Sequence, residues 1–144
     1  MKNYLIGFSD GSKEFSTSCL YLVSWDTKSN RSHTSLLGTL SKLCEDTKFS
    51  KTDESVPVNE THGILLCASN MIKTIQGFKE CGIPLHGCYI GVDALSQIVA
   101  LMTPPTDSKP RLRRYYASVN THLYEIAKQT NQQKENIVFW INQK

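Results

Sequence analysis

Apolar and small or polar residues alternate over Tyr4-Leu-Ile-Gly-Phe-Ser-Asp10, placing Tyr4, Ile6, Phe8 and Asp10 on one face of a strand and Leu5 and Gly7 on the other. The turn Asp10-Gly11-Ser12 ends it. Cys19-Leu-Tyr-Leu-Val-Ser-Trp25 is apolar on both faces, as in a central strand. The polar turn Asp26-Thr-Lys-Ser-Asn30 then leads into a third strand, Ser32 to Leu43, hairpin-paired with the second. Glu45 to Glu54 reads as a polar loop. The period changes after it. Ile64, Leu65, Cys67, Ala68, Met71, Ile72 and Ile75 recur at helical spacing, which predicts a helix from about Asn59 to Phe78 with Asn59 as N-cap. Cys81-Gly82-Ile-Pro84 breaks that helix, and Gly87 to Val92 forms a fourth strand carrying Asp93 at its end. Ala94 to Met102 is a short helix closed by Pro104-Pro105. A second long helix runs from about Arg113 to Thr130, with Tyr116, Val119, Leu123, Ile126 and Ala127 as its buried stripe. Asn136 to Ile141 supplies a fifth strand.

Three strands, a helix, a strand, two helices and a strand describe an antiparallel meander followed by crossovers. The expectation is an α/β fold with a five-stranded mixed sheet and helices on its faces, forming a single domain over residues 1–144. A content of 40% hydrophobic and 20% charged residues fits that reading. No uninterrupted apolar run approaches the roughly 20 residues of a membrane span. Met1-Lys2-Asn3-Tyr4 leads straight into the first strand without a signal-peptide pattern. Five cysteines with no CxxC pair suit a reducing compartment, so an intracellular location, cytoplasmic or nuclear, is expected. A net charge of +3 permits a polyanionic partner without demanding one. Lys109, Arg111, Arg113 and Arg114 gather around Pro110 and read either as a phosphate-holding patch or as a solvated helix entrance.

The chemistry centres on three acids: Asp10 closing the first strand, Asp93 closing the fourth, and Glu60 at the start of the first helix. Glu60 lies four residues before Ile64, so it sits above the buried stripe. Its ordinary role would be to complement the helix dipole; its functional role would be to meet the other two acids.

Four motifs give the acids a common setting. Phe8-Ser-Asp10-Gly-Ser12, Val56-Pro-Val-Asn-Glu60, Tyr89-Ile-Gly-Val-Asp93-Ala-Leu-Ser-Gln-Ile98 and the helix Arg114-Tyr-Tyr-Ala-Ser-Val-Asn-Thr-His-Leu-Tyr-Glu-Ile126 occur in that order along nearly the whole chain. Together they resemble the ribonuclease H domain of retrotransposon polyproteins, most closely of the BEL/Pao group. The resemblance implies a ribonuclease H-like fold, which sets Asp10, Glu60 and Asp93 near one end of the sheet. It also implies Mg²⁺-dependent (or Mn²⁺-dependent) cleavage of the RNA strand of RNA/DNA hybrids, with all three acids as catalytic residues and metal ligands. Asp10 would bridge two ions. A reverse transcriptase domain would accompany this one in a parent polyprotein. Ser9, Ser12 and Asn59 would touch the nucleic acid beside the acids, and Lys109, Arg111, Arg113 and Arg114 would hold phosphates.

Two departures from the family stand out. Val92 and Ala94 flank Asp93 where the family has serines, and no acid follows the last strand before Lys144, where the family carries a fourth on or near a C-terminal helix. The expectation is a domain lacking that helix, whose three retained acids favour the enzyme and whose catalysis is weak or absent if the tail with the fourth acid is truly missing. Two functions compete: a metal-dependent endonuclease, and a domesticated module, weak or inactive as a nuclease, that serves as a protein- or RNA-binding scaffold. Cys81, His86 and Cys88 lack a fourth ligand for zinc. Cys19 and Cys67 read as core thiols, and His62 and His122 as surface residues.

Overall fold

The computed structural model describes residues 1–12, 14–43, 55–103 and 110–141. The polar loop expected at Glu45 to Glu54, Pro104-Pro105 and Lys109 lie outside the described residues. Strands β1 (Lys2–Gly11), β2 (Phe15–Asp26) and β3 (Arg31–Leu43) are followed by helix α1 (Ser55–Glu80), β4 (Gly87–Val92), α2 (Leu95–Met102), α3 (Pro110–Thr130), a short 3₁₀ turn (Lys134–Asn136) and β5 (Val138–Trp140). The sheet order is β3-β2-β1-β4-β5. β1 pairs antiparallel with β2 and parallel with β4, and β5 joins β4 in parallel. This is the mixed five-stranded sheet with packed helices that the periodicity predicts.

β1 is central because both its faces work. Leu5, Gly7 and Ser9 are buried beneath α1, while Tyr4, Ile6 and Phe8 line the opposite face. Leu20 of β2 and Cys88, Ile90 and Val92 of β4 continue the covered face. Ile64, Cys67, Ala68, Met71 and Ile75 of α1 meet them, joined by Tyr116, Val119, Leu123, Ile126 and Ala127 of α3. The α3 stripe is the one its spacing predicts.

Two boundaries differ from the sequence expectation for identifiable reasons. α1 begins about a turn before Asn59, since Pro57 fits a first turn, where its missing N–H costs nothing. Asn59 is therefore no N-cap; it lies inside the helix and is 2% exposed. The fifth strand is shorter than expected because Lys134–Asn136 forms the 3₁₀ turn instead. Gln132 partly replaces a longer strand: its side chain accepts from Cys88 N at 2.8 Å and donates to Cys88 O at 3.2 Å.

α1 ends in a Schellman arrangement, in which Ile83 N donates to Phe78 O and Gly82 N to Lys79 O, with Gly82 at φ 70°. Its other end is fixed by close approach to the sheet. A Cβ on Gly11 would fall 2.2 Å from Glu60 N and 2.4 Å from Asn59 C, and one on Gly63 would fall 2.7 Å from Asp10 O. Only glycine lets the helix lie this near the end of β1.

Gly11→Ala should thus destabilise the protein by about 3 kcal/mol, because helix backbone cannot yield as a side chain does. Gly77, with nothing within 4 Å of its Cβ position, is the control. Gly77→Ala should stabilise the helix by about 1 kcal/mol. Urea denaturation of both variants checks the pair; equal losses would show that the close approach does not limit stability.

Candidate functional site

The site lies at the end of the sheet where β1 and β4 finish side by side. Their parallel register pairs Ser9 with Val92, so Asp10 and Asp93 leave adjacent strands at the same level. Both are exposed, and both line an open cavity of about 420 Å³ with Phe8, Ser9, Leu40 and Ile141 among its walls. Asp10 Oδ1 accepts from Gly11 N at 2.8 Å, and its carbonyl accepts from Thr17 Oγ1 at 3.3 Å. Glu60 comes from α1, held near Asp10 by the Gly11 and Gly63 contacts.

Asn59, Glu60 and Thr61 are consecutive polar residues at a buried helix start, and each finds a partner, as burial demands. Asn59 Nδ2 donates to Ser12 O at 2.6 Å, and Ser16 Oγ donates to Asn59 O at 2.9 Å. Thr61 Oγ1 lies 2.7 Å from Pro57 O and 2.8 Å from Gln97 Oε1. The same Gln97, 4% exposed on α2, donates from Nε2 to Glu60 Oε2 at 3.2 Å. One buried amide thus fastens α2 to α1 and holds the Glu60 carboxylate.

Burial is the largest cause raising the Glu60 carboxyl above its ordinary value; repulsion from Asp93 comes next and a smaller one from Asp10 also raises it, while the Gln97 hydrogen bond opposes them. The three acids therefore share an electrostatic neighbourhood. Their oxygen donors suit Mg²⁺ in kind. Among the described residues, however, no three His, Cys, Asp or Glu side chains gather as one coordinating group.

The other candidates separate into two sets. Ser9 and Asn59 are 8% and 2% exposed, and the Asn59 amide is engaged within the fold. Ser12 Oγ accepts from Phe15 N at 3.1 Å and Glu14 N at 3.3 Å, so it shapes the turn between β1 and β2. Arg113 and Arg114 are exposed on the first turns of α3. Arg111 lies over the Tyr115 ring, 5.8 Å from its centroid, and Tyr115 meets the His62 ring at 5.5 Å. A small cavity lined by Lys42, Asn59, His62, Arg111 and Tyr115 sits beside the start of α1.

Sequence reasoning missed three contributors. Gln97 lay within a quoted motif, but only its burial exposes its role. His62 is half-buried with Nδ1 3.1 Å from Ser16 Oγ, rather than a plain surface residue. Trp140 Nε1 donates to Asp93 O at 3.2 Å, which brings an aromatic ring to the acidic end.

No family model matches the chain, and no curated protein matches it. Solved structures do. The N-terminal RNase H domain of rv2228c from Mycobacterium tuberculosis, solved as a fusion with maltose-binding protein, matches at a TM-score of 0.52 and 11% identity, over 99% of this chain and 83% of that one. LC11-RNase H1, solved in complex with an RNA/DNA hybrid, matches at 0.53 and 12%, over 99% and 86% of the two chains. RNase H1 from the halophilic archaeon Halobacterium salinarum matches at 0.53 and 8%, over 97% and 86%. At such low identity the likeness speaks to the fold alone, and it agrees with the mixed five-stranded sheet described above: the chain has a ribonuclease H-like fold.

Proposed function

We propose that this chain is a ribonuclease H-like module that binds RNA-containing strands at its acidic end and hydrolyses them weakly or not at all. The observation that carries this reading is Glu60: its carboxylate is near enough to Asp93 and Asp10 to feel both charges, yet it is held by Gln97 and does not join them in a coordinating group. The binding half rests on the basic helix start, where the exposed Arg113 and Arg114 lie beside Arg111 and the Tyr115 ring. Lys109 belongs to the same proposed phosphate contact by sequence. Ser9, Ser12 and Asn59 fit such contacts less well, given the internal bonds and burial described above. The four motifs support descent from the ribonuclease H domain of a BEL/Pao-type retrotransposon. Free thiols at Cys19, Cys67, Cys81 and Cys88 suit work inside the cell, in cytoplasm or nucleus.

Cleavage of the RNA strand of a hybrid with Mg²⁺ or Mn²⁺ is the second reading, favoured by the repulsion that Asp93 and Asp10 exert on Glu60. A divalent cation held by these carboxylates would offset it, and would supply an activated water and charge stabilisation.

An end-labelled RNA/DNA hybrid incubated with either cation separates the readings. The wild-type chain should give little or no cleavage above Asp10→Asn while still shifting the hybrid in anisotropy titrations. Efficient turnover abolished by Asp10→Asn would replace the proposal with the second reading. Arg114→Ala should weaken binding across sequences and lower the salt slope by about 1, as expected for one lost phosphate contact. An unchanged slope would remove Arg114 from the interface.

Glu60 also makes stability depend on pH. Because its folded value is raised, the neutral acid is favoured by the fold, and that contribution is complete below the ordinary value of 4.5 and lost as pH rises through the folded value. Glu60→Gln should therefore raise Tm at pH 7 by no more than about 2 °C, since the group is partly solvated. The gain should vanish at acid pH. A Tm decrease at pH 7 would mean that the charged form stabilises the fold.

A further inference from the structure

We infer that Trp140 is a stacking platform for an unpaired base, and that the strand this module prefers is single-stranded RNA, or RNA with an unpaired end, rather than continuous duplex. The inference rests on the nucleic-acid reading above and specifies its substrate.

Two strands fix the indole. The β4–β5 register sets Trp140 beside Val92, one residue before Asp93. Ile141 N then donates to Val92 O at 2.8 Å, so the backbone is held on both sides of the tryptophan. The ring is pinned through its only polar atom, Nε1, which donates to Asp93 O at 3.2 Å. With that bond made, 45% of the residue is still open to solvent. A large apolar ring so exposed would ordinarily be expected to fold down onto its neighbours, and here the bond to Asp93 holds it at the acidic end.

Its position completes a path. Arg111, Tyr115 and His62 gather with Val58 and Asn59 where the starts of α1 and α3 meet. Asp10 and Asp93 line the cavity at the strand ends, and Trp140 stands beyond Asp93 on the β5 side. A strand gripped by phosphate at the basic flank and crossing the acids would run toward the β5 edge, where the indole stands. Every base has a π-face, so such a contact is tolerant of sequence. In a continuous duplex each base is already stacked and paired, and the platform has nothing to receive; an unpaired base is free to turn onto it.

The chain has two tryptophans, so Trp25→Phe leaves Trp140 as the sole reporter. Titrating that variant with oligouridylate should quench its emission, and a blunt RNA/DNA hybrid should quench it far less. In anisotropy titrations Trp140→Ala should weaken oligouridylate binding about 10-fold, Trp140→Phe should retain most of the affinity, and the blunt hybrid should bind both variants as it binds wild type. Oligouridylate binding left unchanged by Trp140→Ala, or equal loss in the Ala and Phe variants, overturns the inference while the nucleic-acid reading stands. Failure of the wild-type chain to bind either probe removes both. If Trp140→Ala does not give a native circular dichroism spectrum, quenching in the Trp25→Phe chain and the affinity of Trp140→Phe decide the matter.

Discussion

The site depends on a backbone-to-backbone contact between the start of α1 and the end of β1. Gly11 and Gly63 face each other's elements at distances where a single methyl group would overlap main chain. Backbone this close cannot hold water between its polar groups, so the local donors and acceptors must satisfy one another. They do so through side chains: the Asn59 amide reaches Ser12 O, and Ser16 Oγ reaches Asn59 O. The hydrogen bonds and the close approach require each other. Together they fix Glu60 in the space between Asn59 and Thr61, where its carboxylate faces two acids from other elements.

What holds that carboxylate matters as much as where it is. A lysine or arginine would neutralise Glu60 and lower its pKa; Gln97 instead offers a neutral N–H, which orients the group and leaves its charge in place. Burial and repulsion win over that one bond, since the net shift is upward. The same network reaches Tyr116, whose phenol is pushed up chiefly by burial, opposed by hydrogen bonding to Thr61 and Gln97. Negative charge is thereby concentrated at one end of a chain that is positive overall, with the basic start of α3 on its flank. An RNA strand must satisfy both signs in crossing this end, which favours a grip on one flank over uniform wrapping.

Much of this was legible from spacing. The order of elements and the α3 stripe follow from apolar periods that burial enforces over many residues, so no single ambiguous position could upset them; the central place of β1 does not, since the second strand carries the more continuous apolar run. The start of α1 was not legible, because Asn59 has the chemistry of a cap and only the tertiary contact with Ser12 shows it to be internal. The acids could be named from sequence, since each stands at an apolar edge. Gln97, Gly63 and Trp140 could not be: an amide in a short helix, a glycine in a long one and an aromatic near a chain end carry no local signal of the partner they meet. Composition suggested a basic patch at Arg111, Arg113 and Arg114 but not the stacking of Arg111 on Tyr115 beside His62.

The face of the sheet opposite α1 also contributes to the site. Phe8 makes edge-on contacts with Tyr21 at 6.0 Å and with Phe139 at 6.3 Å. These rings need room, and Gly91 provides it: a Cβ there would fall within 2.8 Å of Phe8, Phe139 and Ile141. The absent side chain on β4 lets residues on either side of Trp140 settle against the central strand. Their packing holds β5, only three residues long, in register with β4. Without it the few hydrogen bonds of so short a strand would be weak restraint, and Trp140 would have no fixed relation to Asp93. One glycine on each face therefore sets one side of the acidic end: Gly11 places Glu60 against Asp10, and Gly91 places the indole against Asp93.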